Sequence, residues 1–109
     1  MKKIALATTV MFSLGCAGAA FCAEKPAAKM PGEAKFTQHC TICHPDGGNI
    51  VNPKKTLHKK DREANNIRTE ADIIKLMRKP GPGMTAFDQK TLNDKEALDI
   101  AKYVVKTFN

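Results

Sequence analysis

Cys40, Cys43 and His44 stand in the run Cys40-Thr41-Ile42-Cys43-His44, and that spacing suits one kind of chemistry closely. Two thiols two residues apart, with an imidazole directly after the second, form the pattern by which a chain attaches haem c covalently. Each thiol adds across one vinyl group to make a thioether, and the adjacent His44 is directed at the iron. Competing readings of these residues lack parts. A structural zinc site takes four ligands, usually from two such pairs; no second pair follows, and His39 and His58 sit at no spacing typical of one. A thioredoxin-like redox pair needs a βαβ setting. A plain disulfide gives no reason for His44.

A second iron ligand is sought further along. Met84 lies in Pro80-Gly81-Pro82-Gly83-Met84-Thr85-Ala86-Phe87, where prolines limit the chain's freedom and glycines allow close backbone approach to a flat ligand. A thioether is a soft ligand, and a His/Met pair raises a haem potential relative to His/His. Most methionines are core filler. Met77 suits that role, on a helix face with Ile74, and Met30 falls in the leader. His58 in a polar helix reads as exposed, and His39 as a helix-face residue beside the attachment site. With His44 and Met84 both bound, the iron has no open position for oxygen, peroxide or a small substrate. That favours outer-sphere electron exchange over turnover of a substrate.

The elements that must position these groups are helical. Glu33 to Cys40 reads as a short helix with Phe36 and Cys40 on one face. A loop rich in Gly, Asn and Pro follows, from Pro45 to Pro53. Thr56 to Ala64 reads as a short polar helix anchored by Leu57. Thr69 and Asp72 form a capping-box variant opening a helix with Ala71, Ile74 and Met77 on one face, ended by Lys79-Pro80. Asn93 and Glu96 repeat that signature ahead of Ala97, Ile100, Ala101, Val104, Val105 and Phe108, an apolar stripe at three- and four-residue steps. Lys95, Glu96, Asp99, Lys102 and Lys106 fall largely on the opposite side. No segment alternates as a strand does, so the expected fold class is all-α.

The chain has 109 residues, enough for one domain. It begins Met-Lys-Lys, then runs apolar from Ile4 to Gly15 and through small residues to Ala20, the layout of a secretory signal peptide. That run is shorter than the ~20 apolar residues of a membrane-spanning helix. Residues 1–23 are therefore expected to be a signal peptide, 24–31 a flexible leader and 32–109 the folded domain. Cleavage after Cys22 fits the small-x-small rule through Ala20. Leu14-Gly15-Cys16 offers the alternative of a lipid anchor on Cys16, although Ser13 stands where lipoprotein sites usually carry Leu. Loss of Lys2 and Lys3 leaves 16 of the 18 basic residues against 11 acidic ones, so the net charge falls from +7 to +5. It also leaves Cys40 and Cys43 as the exported cysteines. A domain this small is only marginally stabilised by its own core, and a covalent haem would add both apolar surface and a crosslink.

Several segments together resemble the class I c-type cytochromes. Cys40-Thr41-Ile42-Cys43-His44 near the mature start, the Met84 loop and the closing amphipathic helix carry that likeness. Phe36 and Tyr103 fall where that fold crosses its first and last helices. His44-Pro45-Asp46-Gly47-Gly48-Asn49, Lys55-Thr56-Leu57, Pro82-Gly83-Met84-Thr85-Ala86-Phe87 and Ile100-Ala101-Lys102-Tyr103-Val104 narrow it to the cytochrome c6 group. The stretch from Gly32 to Phe108 is also similar to the c6-type monohaem cytochromes of metal-reducing Geobacter-like bacteria, one of which is an outer-membrane lipoprotein. Thr85 replaces the Pro that commonly follows the ligand methionine in this group. The resemblance implies three to five helices around one covalent haem, held by Cys40 and Cys43 with His44 and Met84 axial, and a low-spin electron carrier.

The expected function is thus a periplasmic single-electron carrier and not an enzyme. A monomer is expected, meeting other redox proteins through transient contacts. Lys54, Lys55, Lys59 and Lys60 would steer it toward acidic partner surfaces, against the plainer reading of a solvated charged face. An exported haem protein has no use for nucleic acid despite its basic balance. The alternative is a haem sensor or peroxidase-like protein with a labile sixth ligand. Lipid anchoring to the outer membrane through Cys16 is the alternative location.

Overall fold

A computed structural model describes residues 29–109; the signal-peptide segment, most of the leader and the Cys16 anchor site lie outside the described residues. Four α-helices follow one another: α1 Glu33–His39, α2 Lys59–Ala64, α3 Glu70–Arg78 and α4 Asp94–Thr107, with a 3₁₀ turn over Pro45–Gly47. No strand occurs among the described residues, in agreement with the all-α expectation.

Both expected capping boxes form. The Thr69 hydroxyl accepts from the Asp72 amide at 3.2 Å, and the Asp72 carboxylate accepts from the Thr69 amide at 3.0 Å. Asn93 and Glu96 make the reciprocal pair at 2.9 and 3.0 Å. Each box satisfies amides that a helix start leaves without partners. The Arg68 and Thr69 amides hold the Asp72 carboxyl below its ordinary range. A lowered folded-state pKa means that this contribution is present at neutral pH and is lost as pH falls through that pKa.

α4 supplies the core. Ala97, Ile100, Ala101 and Val104 are buried along it, and Phe108 is buried just past its end. They pack with Phe36 of α1 and with Ile73 and Met77 of α3. The Phe36 ring lies 5.1 Å from Tyr103 and 5.6 Å from Phe108, both tilted, so an aromatic cluster marks the crossing of α1 on α4. Gly32, just ahead of α1, makes that crossing close. Its φ is +89°, and a Cβ there would run into the Asp99 carbonyl and approach the Ile100 amide nitrogen to 2.6 Å. Only glycine relieves both constraints at once.

Two expectations need correction. The face that α3 turns inward is Ile73 and Met77, four apart, with Ile74 half-buried and Ala71 exposed. The helix is rotated so that its β-branched and thioether side chains, not a small alanine, fill the core. The second correction concerns Thr56–Ala64. The helix there begins only at Lys59, so Leu57 is a half-buried residue ahead of it, and the buried residue of α2 is Arg62. Leu57 still packs on the core, but from a turn whose amide donates to the Gly47 carbonyl at 2.7 Å.

Candidate haem site

Cys40, Cys43, His44 and Met84 all line one cavity of about 370 Å³, enclosed between α1, α3, α4, the 45–58 loop and the 80–87 loop. Its size falls within the range of ordinary cofactor pockets. Phe36, Ile73, Leu76, Met77, Ile100 and Val104 give it apolar walls.

The attachment run is shaped by the end of α1. Cys40 caps that helix, its amide donating to the Phe36 carbonyl at 2.8 Å, and the His44 amide closes a further turn onto the Cys40 carbonyl at 2.8 Å. The segment therefore winds once more, and Cys40, Cys43 and His44 meet at the cavity wall while Ile42 turns out to solvent, 81% exposed. Burial pushes the Cys40 thiol up to about 11, with the neighbouring Cys43 adding to the rise.

His44 is oriented by its own loop. Its Nδ1 lies 2.7 Å from the Gly48 carbonyl oxygen. A carbonyl only accepts, so Nδ1 must carry a proton, and the lone pair of the neutral imidazole is then on Nε2. That is how a ligating histidine is ordinarily held: one ring nitrogen bonded to a backbone carbonyl, the other bare and basic toward the metal. The short 3₁₀ turn at Pro45–Gly47 brings that carbonyl back under the ring, aided by Asp46 at φ +52°.

Met84 reaches the cavity on a loop with few bonds of its own. Gly83, at φ +89°, lies so close to Val51 that a Cβ would meet Cγ1 at 2.8 Å, which lets the two loops close over the cavity mouth. The return of the loop is fixed by Arg78, which the sequence reading passed over. Its Nη1 donates to the carbonyls of Phe87 at 3.0 Å and Leu92 at 2.7 Å, and its Nη2 to the Asp94 carboxylate at 3.0 Å. The Phe87 amide adds a bond to the Met77 carbonyl at 2.8 Å. Fully buried Leu92 plugs the same corner. Arg78→Met is expected to lower stability by about 2–3 kcal/mol, the worth of a charge-assisted bond with carbonyls left unpaired. It should also make Met84 easier to displace, seen as faster binding of an added ligand such as imidazole. A single lysine in this corner would reach only part of the same set.

The two other histidines part company. His39 lines the cavity, with its ring edge-on to Phe87 at 5.8 Å. His58 precedes α2, is exposed, and stacks edge-on against Phe108 at 5.7 Å, away from the cavity-lining set. Two thioethers line the cavity: Met77 is packed into the core from α3, whereas Met84 stands on the 80–87 loop, 37% exposed. The donor set and the apolar walls fit a covalently held haem.

The comparisons with known proteins agree with this geometry. A family model described as cytochrome C oxidase, cbb3-type, subunit III matches residues 27–104. The solved structure of OmcF, outer membrane cytochrome F of Geobacter sulfurreducens, is 49% identical with a TM-score of 0.69, over 72% of this chain and 99% of that one. Cytochrome c6C of Synechococcus sp. PCC 7002 is 29% identical with a TM-score of 0.67, over 72% and 94%. Helices wrapped on a cavity with a Cys-x-x-Cys-His wall are the mark of the class I c-type cytochromes. Cytochrome c6 of Pyropia yezoensis is 35% identical over 106 residues, 95% of this chain and 92% of that one. Against the cytochrome c6 of Cyanidium caldarium, 35% identical over 74 residues, the match spans 66% of that protein, just under two thirds. The chain belongs to the cytochrome c6-like monohaem group of that class, whose members carry one covalently bound haem c.

Proposed function

We propose that this chain is a single-electron carrier, exported to the periplasm, in which Cys40 and Cys43 hold the haem by thioethers and His44 Nε2 and Met84 Sδ take the two axial positions. The observation that carries this reading is the convergence of those four side chains on one cavity, with His44 Nδ1 already committed to the Gly48 carbonyl. The haem supplies a one-electron iron couple when bound. The protein's own residues keep both faces of the metal covered and exclude water with apolar walls, so the charge change requires little rearrangement. Ile42, Ile50 and Val51 lie exposed near the cavity mouth, and Lys54, Lys55, Lys59 and Lys60 are exposed beside it. Such a surface suits brief encounters with acidic redox partners over less than ~1,200 Å². Export rests on the basic, apolar and small-residue pattern of residues 1–23.

The test is the visible spectrum of the exported holoprotein. The reduced form should give narrow low-spin bands, the ferric form the weak red band of an iron–methionine bond, and the reduced protein should not take up carbon monoxide. The pigment should stay with the polypeptide in acidified organic solvent. A high-spin ferric spectrum with ready carbon monoxide binding would overturn the carrier in favour of a sensor or peroxidase-like protein.

A further inference from the structure

Phe108 is buried just past the end of α4, yet it does not line the haem cavity. Its amide donates to the Val104 carbonyl at 3.0 Å, and its carbonyl accepts from the Lys59 amide at 2.9 Å. Its ring is boxed by those of Phe36, Tyr103 and His58, with centroids 5.6, 6.1 and 5.7 Å away. Backbone and ring are therefore both fixed. The ring also lies against Gly47. A Cβ on that residue would collide with Phe108 Cδ1 and stand 2.7 Å from Cε1 and 2.8 Å from Cγ. Gly47 is itself buried, at φ +76°, so only a glycine lets the backbone of the 45–47 turn rest on the ring.

That turn is the one that orients His44. The Gly47 amide donates to the His44 carbonyl at 3.2 Å, and the Gly47 carbonyl accepts from the Leu57 amide at 2.7 Å. The carbonyl of the next residue, Gly48, holds His44 Nδ1 at 2.7 Å. A shift of Gly47 toward the ring would carry the Gly48 carbonyl with it, and the ring blocks that shift. We propose that Phe108 is a positioning residue for His44: its ring props the turn so that the Gly48 carbonyl stays within a short hydrogen bond of Nδ1. The proposal rests on the haem-attachment reading above. A ligating histidine whose other nitrogen is firmly hydrogen-bonded is a more basic ligand. Stronger donation favours ferric iron, so the prop holds the reduction potential down. A fold that is merely loosened acts the other way, because water admitted toward the iron favours the more highly charged ferric state.

The experiment compares holoproteins carrying Phe108→Ala and Phe108→Leu with the parent, by potentiometric titration at neutral pH and by proton magnetic resonance of the ferrous form. In the alanine variant the His44 Nδ1 proton should move to higher field and exchange faster with water. Its midpoint potential should rise. The leucine variant, which keeps part of the apolar bulk, should move both readings the same way by less. A His44 proton that stays where it is in the parent would overturn the proposal, and so would a potential that falls. Should neither variant mature, nuclear Overhauser contacts in the unaltered ferrous holoprotein decide. Cross-peaks from the Phe108 ring to the Gly47 α protons are expected, and their absence would refute the prop. A parent chain that exports colourless would instead defeat the attachment reading, a result visible before any variant is made.

Discussion

Replacing Met84 with alanine is expected to convert the holoprotein from a low-spin to a high-spin or water-ligated form and to lower its midpoint potential by on the order of 0.1–0.3 V, a fraction of the ~0.8 V that axial ligands command. The thioether stabilises the ferrous state because it is a soft, weakly donating ligand; removing it leaves only the imidazole of His44. The weak red ferric band should vanish, and the reduced variant should bind carbon monoxide. Met84→His should keep the iron low-spin while still lowering the potential, since imidazole donates more strongly to ferric iron. The fold should tolerate the alanine change: Met84 is 37% exposed, and its loop is held by Arg78, Leu92 and the Phe87 amide, not by the methionine. An unchanged spectrum in Met84→Ala, red band included, would show that another thioether takes the sixth position, Met77 being the one already on the cavity wall; a low-spin spectrum without that band would point to His39.

What the sequence disclosed, and what it withheld, divides along a physical line. Signals written in local spacing were legible. The Cys40–His44 run, the two capping boxes and the stripe of α4 each involve residues three or four apart, and the structure forms the helices and caps they announce. Met84 could be singled out because its surroundings, two prolines and two glycines, are unusual for a core methionine. Long-range contacts were not legible. Arg78 bridges carbonyls nine and fourteen residues away, and Arg62 reaches one 46 residues away. Nothing local marks which of the three arginines turns inward. The same blindness explains the mistaken face of α3. Ala71, Ile74 and Met77 follow one helical stripe and Ile73 and Met77 another, and only the position of α4 decides between them. Leu57 was misplaced because a helix start was read one turn too early. With the Thr56 hydroxyl pointing to Asp61, residues 56–58 form a turn that leads into α2 instead of its first turn.

Removing both thioether anchors, Cys40→Ser with Cys43→Ser, is expected to yield a colourless chain with little fixed tertiary structure, not a folded apoprotein awaiting its cofactor. The cavity lies in the middle of the core: Phe36, Ile73, Met77, Ile100 and Val104 are core residues and cavity wall at once. Emptied but kept dry, a space of 370 Å³ would forfeit about 9 kcal/mol at ~24 cal/mol per Å³. That equals most of the ~5–15 kcal/mol by which a domain is ordinarily stable. Flooding it would hydrate the same apolar walls and save little. α1 and α2, at seven and six residues, are too short to persist alone, since isolated helices below ~12–15 residues are marginal in water. α4, with its capping box and fourteen residues, is the segment with the best prospect of keeping partial helicity. Far-ultraviolet circular dichroism should therefore show a large loss of helix, and amide exchange should be fast everywhere except residually in α4. Each single cysteine variant keeps one thioether and should remain coloured, less stable, and shifted to longer wavelength because one vinyl group is left unsaturated. A double variant that retained native-like helix content and slow exchange would show that the polypeptide closes the cavity by itself, so that the haem is a passenger and not part of the core.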